Sequence, residues 1–165
     1  MSMRAAFAFL FFCVILLGNT ARAQLQIMPS VNLLTAGGNS FVGVSLSGRY
    51  FVCPRLAAGI NLRYVSEIDL LITTLEVDYF FLNTKVIKPY LGLEAGLFSQ
   101  YRGQLFSGAK APGISPRVGI QCKLSSLLAL QLDAGYPIAI HKGESFGSDS
   151  GLLVGAGLNF TFDKR

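Results

Sequence analysis

The last stretch of the chain, Gly151 to Phe162, alternates between two kinds of residue. One set is apolar and ends in two aromatic residues: Leu152, Val154, Ala156, Leu158, Phe160 and Phe162. The other set is mostly small or polar: Leu153, Gly155, Gly157, Asn159 and Thr161. Successive side chains of a β-strand point to opposite faces of its sheet, so this stretch predicts a strand with one apolar face. A strand of a soluble β-sandwich has the same alternation, so the pattern alone does not define the surroundings.

Seven earlier stretches repeat this alternation, which predicts eight strands. Their expected bounds are 25–34, 40–51, 56–65, 69–81, 89–101, 115–124, 127–139 and 150–162. Each is long enough to cross a bilayer at the usual tilt, which takes about 9–11 residues. We therefore predict an all-β fold, an eight-stranded antiparallel up-and-down transmembrane β-barrel. Because proline cannot donate to a strand ladder, we expect a bulge or a locally frayed pairing at Pro29.

The first 23 residues have the organisation of a cleaved secretory signal peptide. Arg4 supplies the positive charge, Ala5 to Gly18 is an uncharged run of 14 residues, and Ala21-Arg22-Ala23 is a small-residue cleavage site. The run is shorter than the roughly 20 residues of a spanning helix, which argues against the alternative of an N-terminal membrane anchor. We expect residues 24–165 to form the barrel domain.

The composition excludes several classes of protein. Without Arg4 and Arg22, 12 basic and 9 acidic residues remain, a net charge of +3. These basic residues are scattered, so no nucleic-acid partner is predicted. Apolar residues make up 52% of the chain, yet no uncharged apolar run after residue 23 is long enough for a transmembrane helix. Cys53 and Cys122 are expected on opposite walls and unpaired, and with one histidine in the chain no metal site or cofactor is predicted.

The charged residues indicate which face of the barrel is inside. Eight of them, four basic and four acidic, lie in the set opposite the apolar one: Arg49, Arg63, Glu76, Asp78, Glu94, Arg117, Lys123 and Asp133. A lipid-facing Arg or Lys near the bilayer midplane costs about 2–4 kcal/mol, so in a membrane these residues must face the lumen. Aromatic residues near the ends of the apolar set are placed as interfacial girdles: Tyr50, Tyr64, Tyr79, Phe81, Tyr136, Phe160 and Phe162. The alternative is a soluble barrel with the two faces exchanged.

The connections alternate in length, which predicts the orientation of the barrel. Those after strands 2, 4 and 6 are tight or rich in turn residues, whereas 102–114 and 140–149, after strands 5 and 7, are longer and rich in Gly, Ser and charge. Short periplasmic turns and longer outer loops are typical of outer-membrane barrels. The connections after strands 1 and 3 are also short, which predicts a modest outer rim.

Three passages resemble the small OmpA/OmpX-type outer-membrane barrel proteins. They are the Ala21-Arg22-Ala23 site, the hairpin from Tyr79-Phe80-Phe81-Leu82-Asn83 to Lys88-Pro89-Tyr90-Leu91-Gly92-Leu93, and Leu124-Ser125-Ser126-Leu127-Leu128-Ala129-Leu130 entering strand 7. The resemblance concerns architecture along the whole exported chain. It implies a monomer in the bacterial outer membrane, surrounded by lipid and lipopolysaccharide and inserted by the outer-membrane assembly machinery.

Three functions are compatible with such a barrel. An eight-stranded barrel is just wide enough for side chains to fill it, so we expect the lumen charges to pair and plug it, with a narrow pore as the alternative. A lipid-modifying enzyme would need a nucleophile and a base, and the candidate set is His141 with Glu144, Ser145 and Asp149. These residues lie on a glycine-rich loop, whereas a catalytic triad needs rigid placement. The loop from Arg102 to Ile114 is a candidate recognition surface for anionic outer-leaflet lipid or another protein, with Tyr101, Arg102, Phe106 and Lys110. We expect a non-enzymatic structural or surface-interaction role.

Overall fold

The computed structural model describes residues 24–81, 86–100, 110–140 and 151–163, most of which lie in β-strands. The strands are β1 (Gln24–Ala36), β2 (Asn39–Cys53), β3 (Leu56–Val65), β4 (Leu70–Phe80), β5 (Ile87–Gln100), β6 (Lys110–Lys123), β7 (Leu128–Gly135), β8 (Ile138–Ala139) and β9 (Leu152–Asp163). One turn of 3-10 helix, Ser66–Ile68, joins β3 to β4. The described residues include no helix long and apolar enough to span a membrane. The predicted signal peptide lies outside them.

The strands form one closed antiparallel sheet, as predicted. From β1 to β7 each strand pairs with the next one in the chain. The strand β9 pairs with β7 on one side and with β1 on the other. At this seam Gln24 lies opposite Asp163 and Thr35 opposite Leu152. The barrel therefore has no free edge along β1 or β9.

The predicted seventh strand, 127–139, is divided into β7 and β8, but both parts follow one register along β6. Arg117 pairs with Gly135 and Gly113 with Ala139, so the numbering does not shift across the gap. Between them the Tyr136 N–H donates to the Pro116 carbonyl at 2.9 Å. Proline has no N–H to return that bond, which interrupts the ladder at this point. Because β7 and β8 together form one strand of the wall, the nine strands correspond to the eight that were predicted.

Two further sequence expectations, the start of the sixth strand and the pairing at Pro29, can be compared with the structure. The strand β6 begins at Lys110, five residues before the predicted start at 115, because the backbone from 110 to 114 pairs with β5 as far as Ser99. These residues belong to the predicted loop 102–114, which was expected because it is rich in Gly, Ser and charged residues. At Pro29 the second of the two expected outcomes is found: Pro29 pairs with Leu46 without a bulge, and on the β9 side the pairing is interrupted between Ile27 and Ser30 and resumes in the same register. The register shift lies in β2, between Phe51 and Cys53.

The apolar set faces outward and the polar set inward. On the outside, Val44, Leu75 and Val118 are each more than half exposed. The lumen holds 16 buried polar or charged residues among those described. Six of the seven expected girdle aromatics are exposed on the outer surface, and Tyr50 is half-buried.

The two ends of the barrel differ. One, the short-turn end, carries the β2–β3 turn at Pro54–Arg55 and the β6–β7 turn, where the Ser125 hydroxyl accepts the N–H of Leu128 at 3.1 Å. The other, the loop end, carries the 3-10 helix and the β1–β2 turn. In that two-residue turn Gly37 and Gly38 have φ of 58° and 78°, the positive values that a type I′ hairpin turn requires and glycine adopts without strain.

Candidate functional site

The lumen contains a compact group of six charged side chains, the interior charge network. Each is 5% exposed or less. Inward positions of β2 to β6 supply them: Arg49 from β2, Arg63 from β3, Glu76 and Asp78 from β4, Glu94 from β5 and Arg117 from β6. Alternate positions of neighbouring strands point inward together, and this brings the six groups to one level of the barrel.

Arg117 is the centre of the network. Its Nη2 lies 2.6 Å from Glu76 Oε2 and 2.7 Å from Asp78 Oδ1, and its Nη1 lies 2.9 Å from Glu94 Oε1. The Nε atom also donates to Asp78 Oδ1 at 3.2 Å. One guanidinium thus holds three carboxylates from two strands, which the planar fork of arginine permits and a lysine ammonium does not.

Arg49 connects the carboxylates to a group of amides on the opposite wall. Its Nη1 lies 2.6 Å from Asp78 Oδ2. Its Nη2 donates to the side-chain oxygen of Gln131 and, at 3.3 Å, to that of Asn159. Because β4 and β9 lie on different sides of the lumen, this side chain ties the two walls together.

Arg63 completes the network toward the loop end. Both of its terminal nitrogens lie 3.5 Å from Glu94, and Asn61 Nδ2 donates to the same carboxylate at 3.0 Å. With three guanidinium and three carboxylate groups, the network is formally neutral. Buried charges are tolerated when they are paired and hydrogen-bonded, and each of these six has at least one opposite charge within 3.5 Å.

Two of the eight charges that the sequence placed in this network do not join it. Lys123 is exposed because it is the last residue of β6 and extends beyond the network at the short-turn end. Asp133 is half-buried and forms no ion pair with a described residue. Its Oδ2 instead accepts hydrogen bonds from Tyr90 at 3.2 Å and Gln131 at 3.1 Å.

The neutral members of the lumen were not singled out from the sequence. Gln131 Nε2 donates to the Tyr90 hydroxyl at 2.6 Å, and Asn159 Nδ2 donates to Gln131 at 2.8 Å. The Arg117 guanidinium carbon lies 5.8 Å from the Tyr90 ring centroid, within cation–π range. These residues occupy the same inward positions as the charges, so the alternation was the signal that could have found them.

Inward-facing glycines leave the room that these side chains fill. A Cβ at Gly92 would lie 2.2 Å from Asp78 Oδ1 and 2.7 Å from Arg117 Nε. A Cβ at Gly119 would lie 2.6 Å from the Tyr90 ring. The glycines of β5 and β6 are therefore part of the network's geometry.

Apolar side chains bound the network on both sides. Toward the loop end, six buried side chains from five strands form a cluster inside the barrel: Leu34, Val65, Leu70, Ile72, Phe98 and Leu153. Toward the short-turn end, Phe51, Ala57, Phe80 and Tyr90 form a second cluster. Neither cluster was predicted from the sequence, because apolar residues were assigned to the outer face, whereas inward positions near the ends of the strands are apolar too.

Other candidates from the sequence give no assembled site in the described part of the chain. The set His141, Glu144, Ser145 and Asp149 lies outside the described residues, as does the loop segment 101–109. Cys53 and Cys122 are free. The described residues contain no group of three or more potential metal ligands.

Solved structures with the same fold were found by comparison, whereas no family model and no curated protein matches the sequence. The N-terminal β-barrel domain of Pseudomonas aeruginosa OprF is 12% identical, with a TM-score of 0.70 over 86% of this chain and 98% of that one. A de novo designed transmembrane β-barrel is 15% identical, with a TM-score of 0.58 over 83% and 95%. Neisserial surface protein A is 17% identical, with a TM-score of 0.57 over 86% and 98%.

At these identities the comparisons establish a fold and not a role. The designed barrel, which has no evolved role, matches this chain about as well as the neisserial protein does. A match of this kind therefore carries no information about role. The expected resemblance is confirmed at this level: the chain has the fold of the small eight-stranded outer-membrane barrels of the OmpA/OmpX type.

Proposed function

We propose that this protein is an integral outer-membrane β-barrel with a structural or surface-interaction role and a lumen closed by the interior charge network. The observation that carries the proposal is the inverted distribution of polarity. Large apolar residues are exposed around the outer wall while paired charges fill the inside. Soluble monomers rarely expose apolar patches larger than a few hundred Å², so this wall is suited to lipid.

Several features of the chain support location in a bacterial outer membrane. The first 23 residues have the pattern of a cleaved export signal, and the solved barrels with this fold include outer-membrane proteins. We infer that residues 24–165 cross the membrane as a monomer after insertion by the assembly machinery, among phospholipid and lipopolysaccharide. The short-turn end then faces the periplasm.

The location is tested by refolding residues 24–165 with and without detergent. We expect a β-type circular dichroism spectrum in micelles, together with a band that changes mobility on boiling in an SDS gel. A closed barrel resists unfolding in SDS until it is heated, because its ladders have no free edge. A chain that folds and stays soluble without detergent would contradict the proposal.

The closed lumen is tested by conductance across planar lipid bilayers. The side chains of the network and of its two flanking apolar clusters are buried inside the barrel, so we expect no unitary currents from the folded protein. Steady single-channel currents that depend on the amount of folded barrel would favour the narrow-pore alternative.

A further inference from the structure

Charged residues lie at both ends of the barrel. Glu67 and Asp69 lie at the loop end, and both are engaged: Glu67 accepts the Val42 N–H at 3.0 Å and Asp69 accepts the Tyr64 hydroxyl at 2.8 Å. Arg55, Lys88 and Lys123 lie at the short-turn end.

Two of these cations line a small cavity at the mouth of the lumen. The cavity has a volume of about 170 Å³, enough for several water molecules. Its described lining comprises Gln24, Gln26, Lys88, Gln121, Lys123, Ser125, Ser126, Leu128, Ala129 and Thr161. No carboxylate is among them, so the lining combines two ammonium groups with amides and hydroxyls.

Lys88 is the unusual member of this lining. It takes the inward position opposite Gln121, is only half-exposed and shares the cavity with Lys123, whose charge has the same sign. Among the side chains of residues 24–81, 86–99, 111–140 and 151–162, none forms an ion pair with either lysine. Holding two like charges together at a partly buried site is unfavourable, and the attraction of an anion bound between them would offset both their repulsion and the cost of their desolvation.

We propose that this cavity binds a phosphoryl group, held by Lys88 and Lys123 with support from the Gln121 amide and the Thr161 hydroxyl. Lysine ammonium groups bind phosphate as point charges, and amide and hydroxyl donors add directed hydrogen bonds. The shared chemistry is a phosphate bearing at least one negative charge. It is supplied either by an anionic phospholipid headgroup of the adjoining leaflet or by free phosphate in the solvent.

The proposal is tested by NMR on residues 24–165 folded in dodecyl maltoside, a detergent without phosphate. Inorganic phosphate and short-chain phosphatidylglycerol are titrated separately, with sodium chloride at matched ionic strength as the control. We expect saturable shifts of the Lys88, Gln121 and Lys123 amide signals. Saturation by phosphatidylglycerol alone identifies a lipid headgroup as the source, and saturation by inorganic phosphate identifies the free ion.

Variants separate this site from general attraction to a basic surface. Lys88→Gln with Lys123→Gln is expected to weaken binding at least tenfold, and Lys123→Gln alone several-fold. Arg55→Gln, which removes an exposed charge at the same end but outside the cavity, is the matched control and leaves binding within twofold. Lys123 is exposed, so its replacement does not threaten folding, and the mobility shift on boiling verifies each variant. Shifts equal to those from chloride, or equal losses from Arg55→Gln and the lysine variants, would overturn the proposal.

Discussion

At the scale of single residues, Arg117 is the cation on which the three carboxylates of the interior charge network converge. It holds Glu76, Asp78 and Glu94 at 2.6–2.9 Å. Removing one partner of a buried ion pair leaves an uncompensated charge, a loss of about 3–5 kcal/mol. The surrounding hydrogen bonds from Asn61 and Arg49 reach the carboxylates but do not replace a charge that touches all three.

Arg117→Met is therefore expected to lower the free energy of unfolding by about 3–5 kcal/mol. Arg117→Lys should lose less, because the charge is kept although the fork is lost. The measurement is urea unfolding in phospholipid vesicles, with Arg55→Met as the control for losing an exposed arginine. A loss below about 1 kcal/mol, the range of an exposed ion pair, would contradict the described network.

Gly92 provides a second test at this scale. Gly92→Ala puts a methyl group 2.2 Å from Asp78 Oδ1, so the Asp78–Arg117 contact must shift, and overpacking of this kind costs about 1–3 kcal/mol. Gly48→Ala is the matched control, because Gly48 faces outward on β2 and a Cβ there meets nothing within 4 Å. Equal stability of the two variants in urea titrations would show that the lumen accommodates the methyl group.

At the scale of elements, the alternation predicted the strands well and their ends less well. A two-residue period identifies a strand only where one face stays apolar and the other stays polar along its whole length. Near the loop end Leu70 and Ile72 point inward and remain apolar, and in β6 Pro112 and Pro116 interrupt the outward apolar set. The start of β6 was therefore missed. The inward charges on neighbouring strands were predicted, but their partners were not, because pairing depends on register and strand stagger.

Pro116→Val tests the explanation for the gap between β7 and β8. The variant restores an N–H opposite Tyr136, which already donates to the carbonyl of residue 116 at 2.9 Å. One added ladder bond should raise the free energy of unfolding by about 0.5–1.5 kcal/mol. The new amide should also be protected in hydrogen exchange. An amide at 116 that exchanges as fast as an unstructured one would refute the explanation.

At the scale of the whole molecule, the barrel separates its charges from the solvent. The six members of the network are 5% exposed or less, and an apolar cluster lies on each side of them. Salt screens exposed charges and has little effect on buried pairs. The free energy of unfolding and the affinity of the Lys88 and Lys123 cavity for phosphate should therefore respond differently to ionic strength.

The free energy of unfolding should change by less than about 1 kcal/mol between roughly 0.01 M and 1 M salt, where the Debye length falls from about 30 Å to about 3 Å. Phosphate binding at the short-turn end should weaken over the same range, since Lys123 is exposed. Urea titrations and NMR titrations at each ionic strength measure the two quantities. A loss of several kcal/mol in stability would show that solvent reaches the network.

The seam between β1 and β9 has a topological consequence. Because Gln24 lies opposite Asp163, the wall of the barrel is a ring in which no strand is structurally first. A short linker from residue 163 to residue 24 would convert the chain to a covalent circle, which a cut between Gly37 and Gly38 would reopen. Circular permutation is tolerated where ends are close and the new cut falls in an exposed turn. Such a permutant, starting with β2 and ending with β1, should close into the same barrel.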